Sequence, residues 1–422
     1  MTEQLLQYLW NFKIFKTFDF KDTKGNKVEV LDFGQWNSDE GADFLFAKIK
    51  HQNIVLAGSI ELHLKSSDYQ KHQHHLNRQY DNVILHVVYT HDKDVEELVE
   101  KNIPTLELKD YLESSMLEKY QQLKAQNEFI PCEKLIEISK IPFQFSEETL
   151  LKKLDQKSLE IETELAKTKN NYEEVLFQNL AYAFGLKINA SIFKQMAESI
   201  GFGIINKIRH HQNQLEALFF GLSGWLEMPS DTETEMWKRE FDFLKAKYQL
   251  NDTFVAPKFL RLRPANFPTI RLSQLAHLYH LHQNLFSKII KASCLEELYE
   301  LFTPIKASEY WDNHYNFGKP TDKKSVKKLT NSFIDLVILN AVLPLKYTYH
   351  KHSEEEISET ILGFYQNIKP EKNSIIEQWE ALKVPIKTAM DSQAYLFQYK
   401  NFCSQKKCLT CGIGYQLLKK SY

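Results

Sequence analysis

Residues 37–65 read NSDEGADFLFAKIKHQNIVLAGSIELHLK, and this stretch decides how the first part of the chain is interpreted. Polar and apolar residues alternate strictly over positions 59–65, which is typical of a β-strand. Because successive side chains of a strand point to opposite faces, the apolar ones share one face. Glu61, His63 and Lys65 share the other, so an acid, an imidazole and an amine follow one another along it.

A second acid, Asp43, lies one predicted hairpin before that strand. Segments 44–50 and 54–65 are predicted strands, and His51-Gln-Asn53 between them is a predicted turn. Two carboxylates that converge at strand ends can hold a divalent cation through oxygen ligands. A neighbouring Lys or His can orient or deprotonate a water molecule. Asp43 and Glu61 are therefore candidate metal ligands, unless the polar face of the strand is simply solvated.

This pattern resembles the PD-(D/E)XK nuclease superfamily, in which an aspartate is followed, one hairpin later, by a strand carrying Glu-x-Lys. Asp43 matches the aspartate, with Ala42 where proline usually stands, and Glu61 matches the second acid. His63 occupies the usual lysine position, and Lys65 lies one step further along the same face. The resemblance implies a restriction-endonuclease-like domain, Mg²⁺ or Mn²⁺ at the two acids, and hydrolysis of phosphodiester bonds in DNA or RNA.

Short motifs are spread along nearly the whole chain. They are Gln7-Tyr-Leu-Trp10, Gly41-Ala-Asp43-Phe, Gly58-Ser-Ile-Glu61-Leu-His63, Ser66-Ser-Asp68-Tyr, His72-Gln-His74, Val83-Ile-Leu-His86-Val-Val and Arg263-Pro-Ala-Asn266-Phe-Pro268. Together with the Cys-rich tail, this set resembles a bacterial family, domain of unknown function 2851. That resemblance implies an architecture and leaves the function to be argued from the residues.

Length and composition bound the class of protein. A chain of 422 residues is long enough for two or three domains. Hydrophobic residues make up 43% and charged residues 26%, so folded cores are expected rather than disorder. The net charge of −2 neither indicates nor excludes a basic nucleic-acid face. The start lacks a signal peptide and the most apolar run, 333–345, is too short to cross a bilayer. We expect a cytoplasmic protein without a membrane partner.

The predicted fold class is α/β plus all-α. A short helix is predicted at 2–12. Strands are predicted at 27–33, 44–50, 54–65, 83–89 and 104–108, and together they form a mixed sheet. We assign this restriction-endonuclease-like domain to residues 1–115. Charged, glycine-free segments predict a helical connector over 116–170, and amphipathic segments predict an irregular all-α domain over 171–422.

Histidines follow the acidic strand directly, at His72 and His74. Three functions are open for this segment: zinc binding, contact with a substrate phosphate or the catalytic centre, or a merely polar surface. A zinc hydrolase built on His63, His72 and His74 is accordingly one alternative to the magnesium nuclease.

An arginine-rich loop interrupts the helical region at Arg261, Arg263, Asn266 and Arg271. Arginine forks recognise phosphate through two parallel hydrogen bonds, so the loop is a candidate substrate-binding element. The alternative is a loop that caps the next helix and pairs with surface acids.

Three of the five cysteines lie close together near the end of the chain, at Cys403, Cys408 and Cys411. The spacing C-x4-C-x2-C lets three thiolates face one metal, either Zn²⁺ or an iron–sulfur cluster. A fourth ligand is needed, and Cys132, Cys294, His350 or His352 could supply it. The alternative is a group of free cysteines packed under a terminal helix.

The PD-(D/E)XK resemblance thus favours a Mg²⁺-dependent nuclease acting on DNA or RNA. In that interpretation Asp43 and Glu61 bind the metal, and His63 or Lys65 positions the attacking water. We expect Lys65→Ala to cost more activity than His63→Ala, because lysine is charged at neutral pH. The rival interpretation is a non-catalytic nucleic-acid-binding or scaffold protein that has kept the fold.

Overall fold

The computed structural model describes residues 1–37, 41–72, 80–113, 117–118, 120–121, 128–135, 141–142, 144–251 and 256–418. The chain forms two compact units, one made of Met1–Pro142 with Gln398–Tyr422 and the other of Phe143–Phe397. This division differs from the boundaries drawn at 115 and 170 from the sequence. The end of the chain belongs to the first unit, which a change of composition along the sequence does not reveal.

The first unit contains a mixed seven-stranded sheet in its described residues. Its strands are β1 Phe20–Lys21, β2 Lys27–Asp32, β3 Gln35–Trp36, β4 Phe44–His51, β5 Ile54–Lys65, β6 Val83–Thr90 and β7 Thr105–Glu107. The order is β1-β2-β4-β5-β6-β7, with β3 paired to β4. Neighbours are antiparallel up to β5, whereas β5, β6 and β7 run parallel. The predicted mixed sheet is therefore confirmed at this level.

Local chemistry explains the central part of the sheet. Gln52 and Asn53 join β4 to β5 with φ angles of 48° and 65°, the left-handed conformation that a tight hairpin turn needs. β6 lies between two parallel neighbours, and residues 83–88 of it are buried on both faces. Its nearly continuous apolar sequence is typical of such a strand.

Three helices of the first unit are α1 Glu3–Asn11, α2 Asp68–Lys71 and α3 Glu96–Glu100. The Thr2 hydroxyl caps α1 by accepting a hydrogen bond from the Leu5 N–H at 3.2 Å. Both α1 and α2 contact β5. Strand β5, which carries Glu61, is consequently covered by helices rather than exposed to water.

The second unit is predominantly helical. Its helices are α4 Phe145–Lys167, α5 Tyr172–Phe184, α6 Leu186–Ser199, α7 Phe202–Ile208, α8 Gln212–Leu222, α9 Thr232–Tyr248, α10 Pro268–Leu281, α11 Leu285–Lys291, α12 Leu295–Phe302, α13 Asn331–Val337, α14 Leu343–His352, α15 Ser358–Asn367, α16 Ser374–Ala381 and α17 Ala389–Gln398. A hairpin of β8 His314–Asn316 and β9 Lys319–Pro320 accompanies them. Trp237 and Trp311 stack in its core with ring centres 6.0 Å apart.

The chain ends in short turns and a helix that belong to the first unit. A π-helical turn spans Tyr399–Cys403, a 3-10 turn spans Cys408–Thr410, and α18 spans Gly412–Leu418. Among the helices that the structure describes, none combines the length and the apolar character needed to cross a membrane.

Gly58→Ala should destabilise the sheet, because a Cβ at this position of β5 would lie 2.3 Å from the Asn82 main-chain oxygen. Forcing atoms into such a space costs about 1–3 kcal/mol. We expect the thermal midpoint to fall by about 2–4 °C per kcal/mol lost. Gly363→Ala is the matched control, since its Cβ would meet nothing within 4 Å. An unchanged midpoint for Gly58→Ala would show that β5 can move away from β6 without cost.

Candidate functional site

The two predicted acids meet across the β4–β5 hairpin. Asp43 immediately precedes β4 and Glu61 lies within β5, next to the facing pair Phe44 and Ile60. Glu61 Oε2 accepts a hydrogen bond from the Asp43 main-chain N–H at 3.1 Å. Asp43 Oδ2 accepts one from the Leu62 main-chain N–H at 2.9 Å. Each carboxyl group is thus fixed by the main chain of the strand that carries the other.

Burial and nearby negative charge disfavour the ionised forms of these two carboxyl groups. Burial and, after it, the negative charge of Glu61 raise the pKa of Asp43 to about 7. Burial also raises the pKa of Glu61, to about 8. The charge of Glu3 contributes to both shifts. A group of three acids of this kind is stabilised by protonation or by a nearby cation.

Helix α1 supplies two residues of this site that the sequence alone does not identify. Gln7 Nε2 donates a hydrogen bond to Asp43 Oδ1 at 2.7 Å, which orients that carboxylate. Glu3, one helical turn earlier, lies close enough for its charge to act on both acids. The only signal in the sequence is an i, i+4 polar pair on a helix whose other positions are largely apolar. Such a pair normally indicates a solvated face, so packing was needed to identify it.

A row of imidazoles continues from Glu61. His63 is fully buried, and its Nε2 lies 3.7 Å from Glu61 Oε1. That same Nε2 lies 3.2 Å from His72 Nδ1, while His63 Nδ1 lies 3.0 Å from His86 Nε2. Each contact between two rings requires one donor and one acceptor nitrogen, so the tautomers of the three histidines depend on one another. His86 was not predicted, because it is hidden in an apolar β6 sequence.

Histidines also form a group with an acid. Single ligand atoms of Glu3, His63 and His72 all lie within 4.8 Å of one another. Among the His, Cys, Asp and Glu residues that the structure describes, these three are the group whose ligand atoms lie this close together. His74, the other predicted histidine, lies outside the described residues.

Lys65 is placed differently from the other predicted residues of β5. It is the last residue of the strand, and its side chain is exposed. Its main-chain N–H donates to Asp68 Oδ2 at 3.1 Å, which fixes the start of α2. The described contacts bring together Asp43, Glu61 and His63 and leave the Lys65 side chain at the edge of this group.

The arginine loop of the second unit divides into two pairs. Arg261 and Arg263 have exposed side chains. Arg271 is buried within α10, where Nη2 donates to Asn266 Oδ1 at 2.6 Å and the guanidinium lies 3.5 Å from the centre of the Phe333 ring. Burial lowers the pKa of Arg271 to about 9. Arg271 and Asn266 therefore support each other inside the unit, whereas Arg261 and Arg263 face solvent.

The three tail cysteines come together in the first unit. Cys403, Cys408 and Cys411 are all buried, and they line one pocket with Cys132. Cys294, another of the proposed fourth ligands, is exposed and lies in the second unit. The sequence offered several partners for the tail, and the structure brings Cys132 to it.

A family model described as "Protein of unknown function (DUF2851)" matches residues 3–374. No curated protein and no solved structure matches the chain.

Proposed function

We propose that this chain, which belongs to the DUF2851 family, is a metal-dependent nuclease that hydrolyses phosphodiester bonds of DNA or RNA. The observation that carries the proposal is the reciprocal pairing of Asp43 and Glu61 across the hairpin, at 3.1 and 2.9 Å. The spacing of the two acids and the mixed sheet agree with what the PD-(D/E)XK resemblance implies.

The donor set fits a hard divalent cation such as Mg²⁺ or Mn²⁺. Asp43 and Glu61 offer carboxylate oxygens, which are the ligands that these ions prefer. Burial is the main cause of the raised pKa values of Asp43 and Glu61, and the charge of Glu3 adds to it. When bound, the ion would lower the pKa of a water molecule and offset charge on a phosphate.

Side chains of the protein would position the metal-binding carboxylate and accept a proton from the attacking water. Gln7 and the Leu62 N–H hold the Asp43 carboxylate in place. His63 Nε2 lies near Glu61 Oε1 and can accept a proton from the attacking water, with His86 fixing the opposite ring nitrogen. Burial of His63 and Glu61 excludes bulk water from this proton path.

The direct test is an assay of metal-dependent cleavage. Purified protein is incubated with Mg²⁺ or Mn²⁺ and with single- and double-stranded DNA and RNA, and with branched and mismatched duplexes. Metal binding is measured in parallel by calorimetry. If no substrate is cut and no metal binds, the nuclease proposal fails. Retained affinity for nucleic acid in that case would favour the binding or scaffold alternative.

His63→Gln should now cost more activity than Lys65→Ala, the reverse of the order expected from the sequence. His63 contacts Glu61 and two further histidines, whereas the Lys65 side chain is exposed. Loss of a positioned proton acceptor costs about 10²–10⁴-fold in rate, and we expect less than about 10-fold for Lys65→Ala. Rates at saturating metal are compared, and thermal midpoints show whether each variant is folded. A larger loss for Lys65→Ala would return the water-activating role to the lysine.

A histidine-bound zinc centre is the second candidate, because Glu3, His63 and His72 place ligand atoms within 4.8 Å of one another. Imidazole and carboxylate together suit zinc better than magnesium. Two variants separate the candidates. His72→Ala should abolish metal binding if zinc is held by the histidines, whereas Asp43→Asn should abolish it if the acids hold Mg²⁺.

A further inference from the structure

Four cysteines from two remote segments of the sequence line one pocket of the first unit. Cys132 comes from the segment 128–135, and Cys403, Cys408 and Cys411 come from the tail. All four are buried and none forms a disulfide. The space at this pocket that protein atoms do not fill is about 310 Å³, a volume that includes open solvent.

The tail is folded tightly around this pocket. The Lys406 N–H donates to the Cys403 carbonyl at 3.0 Å, and the Cys411 N–H donates to the Cys408 carbonyl at 3.4 Å. A Cβ on Gly414 would lie 2.0 Å from the Cys408 oxygen, so α18 approaches as closely as it does because this residue is glycine. These turns bring the tail cysteines toward a common point rather than along one helix face.

An aromatic contact holds the segment with Cys132 against the tail. Phe129 and Tyr399 stack with ring centres 4.7 Å apart and an angle of 16° between their planes. Both residues belong to the first unit, as do all four cysteines. The arrangement therefore joins a segment near residue 130 to the last turns of the chain within one compact body.

The sulfur atoms receive hydrogen bonds that are typical of thiolate ligands. Gln398 Nε2 donates to Cys411 Sγ at 2.9 Å and to Cys403 Sγ at 3.7 Å. The Gly414 N–H also donates to Cys411 Sγ, at 3.5 Å. Such donors stabilise negative charge on metal-bound sulfur and tune the reduction potential of clusters.

The buried surroundings of Cys132 and Cys403 disfavour negative charge on these two sulfurs. Burial and, after it, the charges of Cys411 and Cys408 raise the pKa of the Cys132 thiol to about 12. Burial likewise raises the pKa of the Cys403 thiol far above its usual range. A bound metal centre would itself supply positive charge and deprotonate its thiol ligands.

We propose that Cys132, Cys403, Cys408 and Cys411 are the four ligands of one iron–sulfur cluster. This inference is independent of the nuclease activity, and its test does not use that activity. It identifies Cys132 as the fourth ligand, which the spacing of the tail cannot do. Four thiolates are the ligand set of the common two-iron and four-iron clusters.

The spacing of the sulfurs favours a cluster over a single zinc ion. Four thiolates at about 2.3 Å from one zinc lie within about 4 Å of one another. In the described part of the chain, only Glu3, His63 and His72 form a group of three within 4.8 Å, so no three of these sulfurs meet that distance. A cluster core is larger than one ion, so its thiolate ligands lie further apart than those of a single zinc.

The test is to purify the full chain without oxygen from cells supplied with iron. Iron, zinc and acid-labile sulfide are counted per chain, and the visible absorbance is recorded before and after dithionite. We expect about two or four iron ions with matching sulfide, and an absorbance band that bleaches on reduction. Protein that arrives without a cluster is reconstituted with iron(II) and sulfide and measured again.

Single serine variants identify the ligands. Cys132→Ser, Cys403→Ser, Cys408→Ser and Cys411→Ser should each lower bound iron by more than about fivefold, since loss of a ligand costs more than loss of a supporting partner. Cys294→Ser is the matched control and should keep the full amount, because Cys294 is exposed in the other unit.

Three outcomes would overturn the proposal. Stoichiometric zinc without iron or sulfide would show a single-ion site instead of a cluster. Absence of both metals after reconstitution would show that the cysteines only pack the tail. Full iron retention in a folded Cys132→Ser variant would remove Cys132 from the ligand set. The first two outcomes come from the unmodified protein, so a variant that fails to fold does not affect them.

Discussion

Asp43→Asn and Glu61→Gln should each lower metal-dependent cleavage by more than about 100-fold, the upper end of the effect of losing a supporting partner of a metal ligand. Each replacement keeps the shape of the side chain and removes the charge that would hold the cation. The amide oxygen can still accept the hydrogen bond from the Leu62 N–H or the Asp43 N–H that the carboxylate accepts now. These variants should therefore keep the fold and lose the activity.

Glu29→Gln is the matched control for this experiment. Glu29 is an acid of the same sheet, on β2, and its side chain is exposed. Its replacement changes net charge by the same amount and should leave the cleavage rate within about twofold, as expected for a surface substitution away from the site. Cleavage that survives in both Asp43→Asn and Glu61→Gln would point to the histidine group or to a contaminating nuclease.

The β4–β5 hairpin, which follows Asp43 and carries Glu61, could be predicted because the sequence patterns that indicate it are local. Alternation over positions 59–65 gives the strand, and Gln52 and Asn53 form a turn with the positive φ that the hairpin requires. The alternation predicts which residues share a face of β5, but it does not decide whether the polar face is solvated or buried. Glu61 and His63 are only 4% and 0% exposed, because helices cover the strand that a solvated face would leave open.

The remaining site residues depend on packing between distant segments. Glu3 reaches the acids through the way α1 lies on β5, and His86 reaches His63 through the parallel pairing of β5 with β6. Cys132 reaches the tail cysteines across most of the chain length. No spacing rule connects such positions, since a single sequence carries no information on which remote segments touch.

Metal-free protein should lose stability as the pH rises from about 4.5 to about 8. In the folded protein the pKa values of Asp43 and Glu61 are raised from 3.8 and 4.5 to about 7 and about 8. Between the ordinary and the raised values the folded state binds more protons than the unfolded state. The free energy of unfolding therefore falls with rising pH in this window.

The expected loss is on the order of a few kcal/mol, since one unit of pKa shift corresponds to about 1.4 kcal/mol and the two acids titrate together. It is measured by urea unfolding of protein treated with a chelator, at several pH values from 5 to about 8.5, a range that spans both raised pKa values. The double variant Asp43→Asn/Glu61→Gln should lose most of this slope. Glu216 of the second unit, whose pKa burial raises to about 7, contributes equally to both proteins and cancels in the comparison.

Addition of Mg²⁺ at the upper end of this pH range completes the test. A ligand present at about 100 times its Kd stabilises the folded state by about 2.7 kcal/mol. We expect this gain in the unmodified protein at high pH, where the acids are ionised, and a smaller gain at pH near 5, where protons compete for the same oxygens. The double variant should gain nothing at either pH. Equal slopes and equal Mg²⁺ effects in the two proteins would mean that Asp43 and Glu61 neither carry the raised pKa values nor hold the ion.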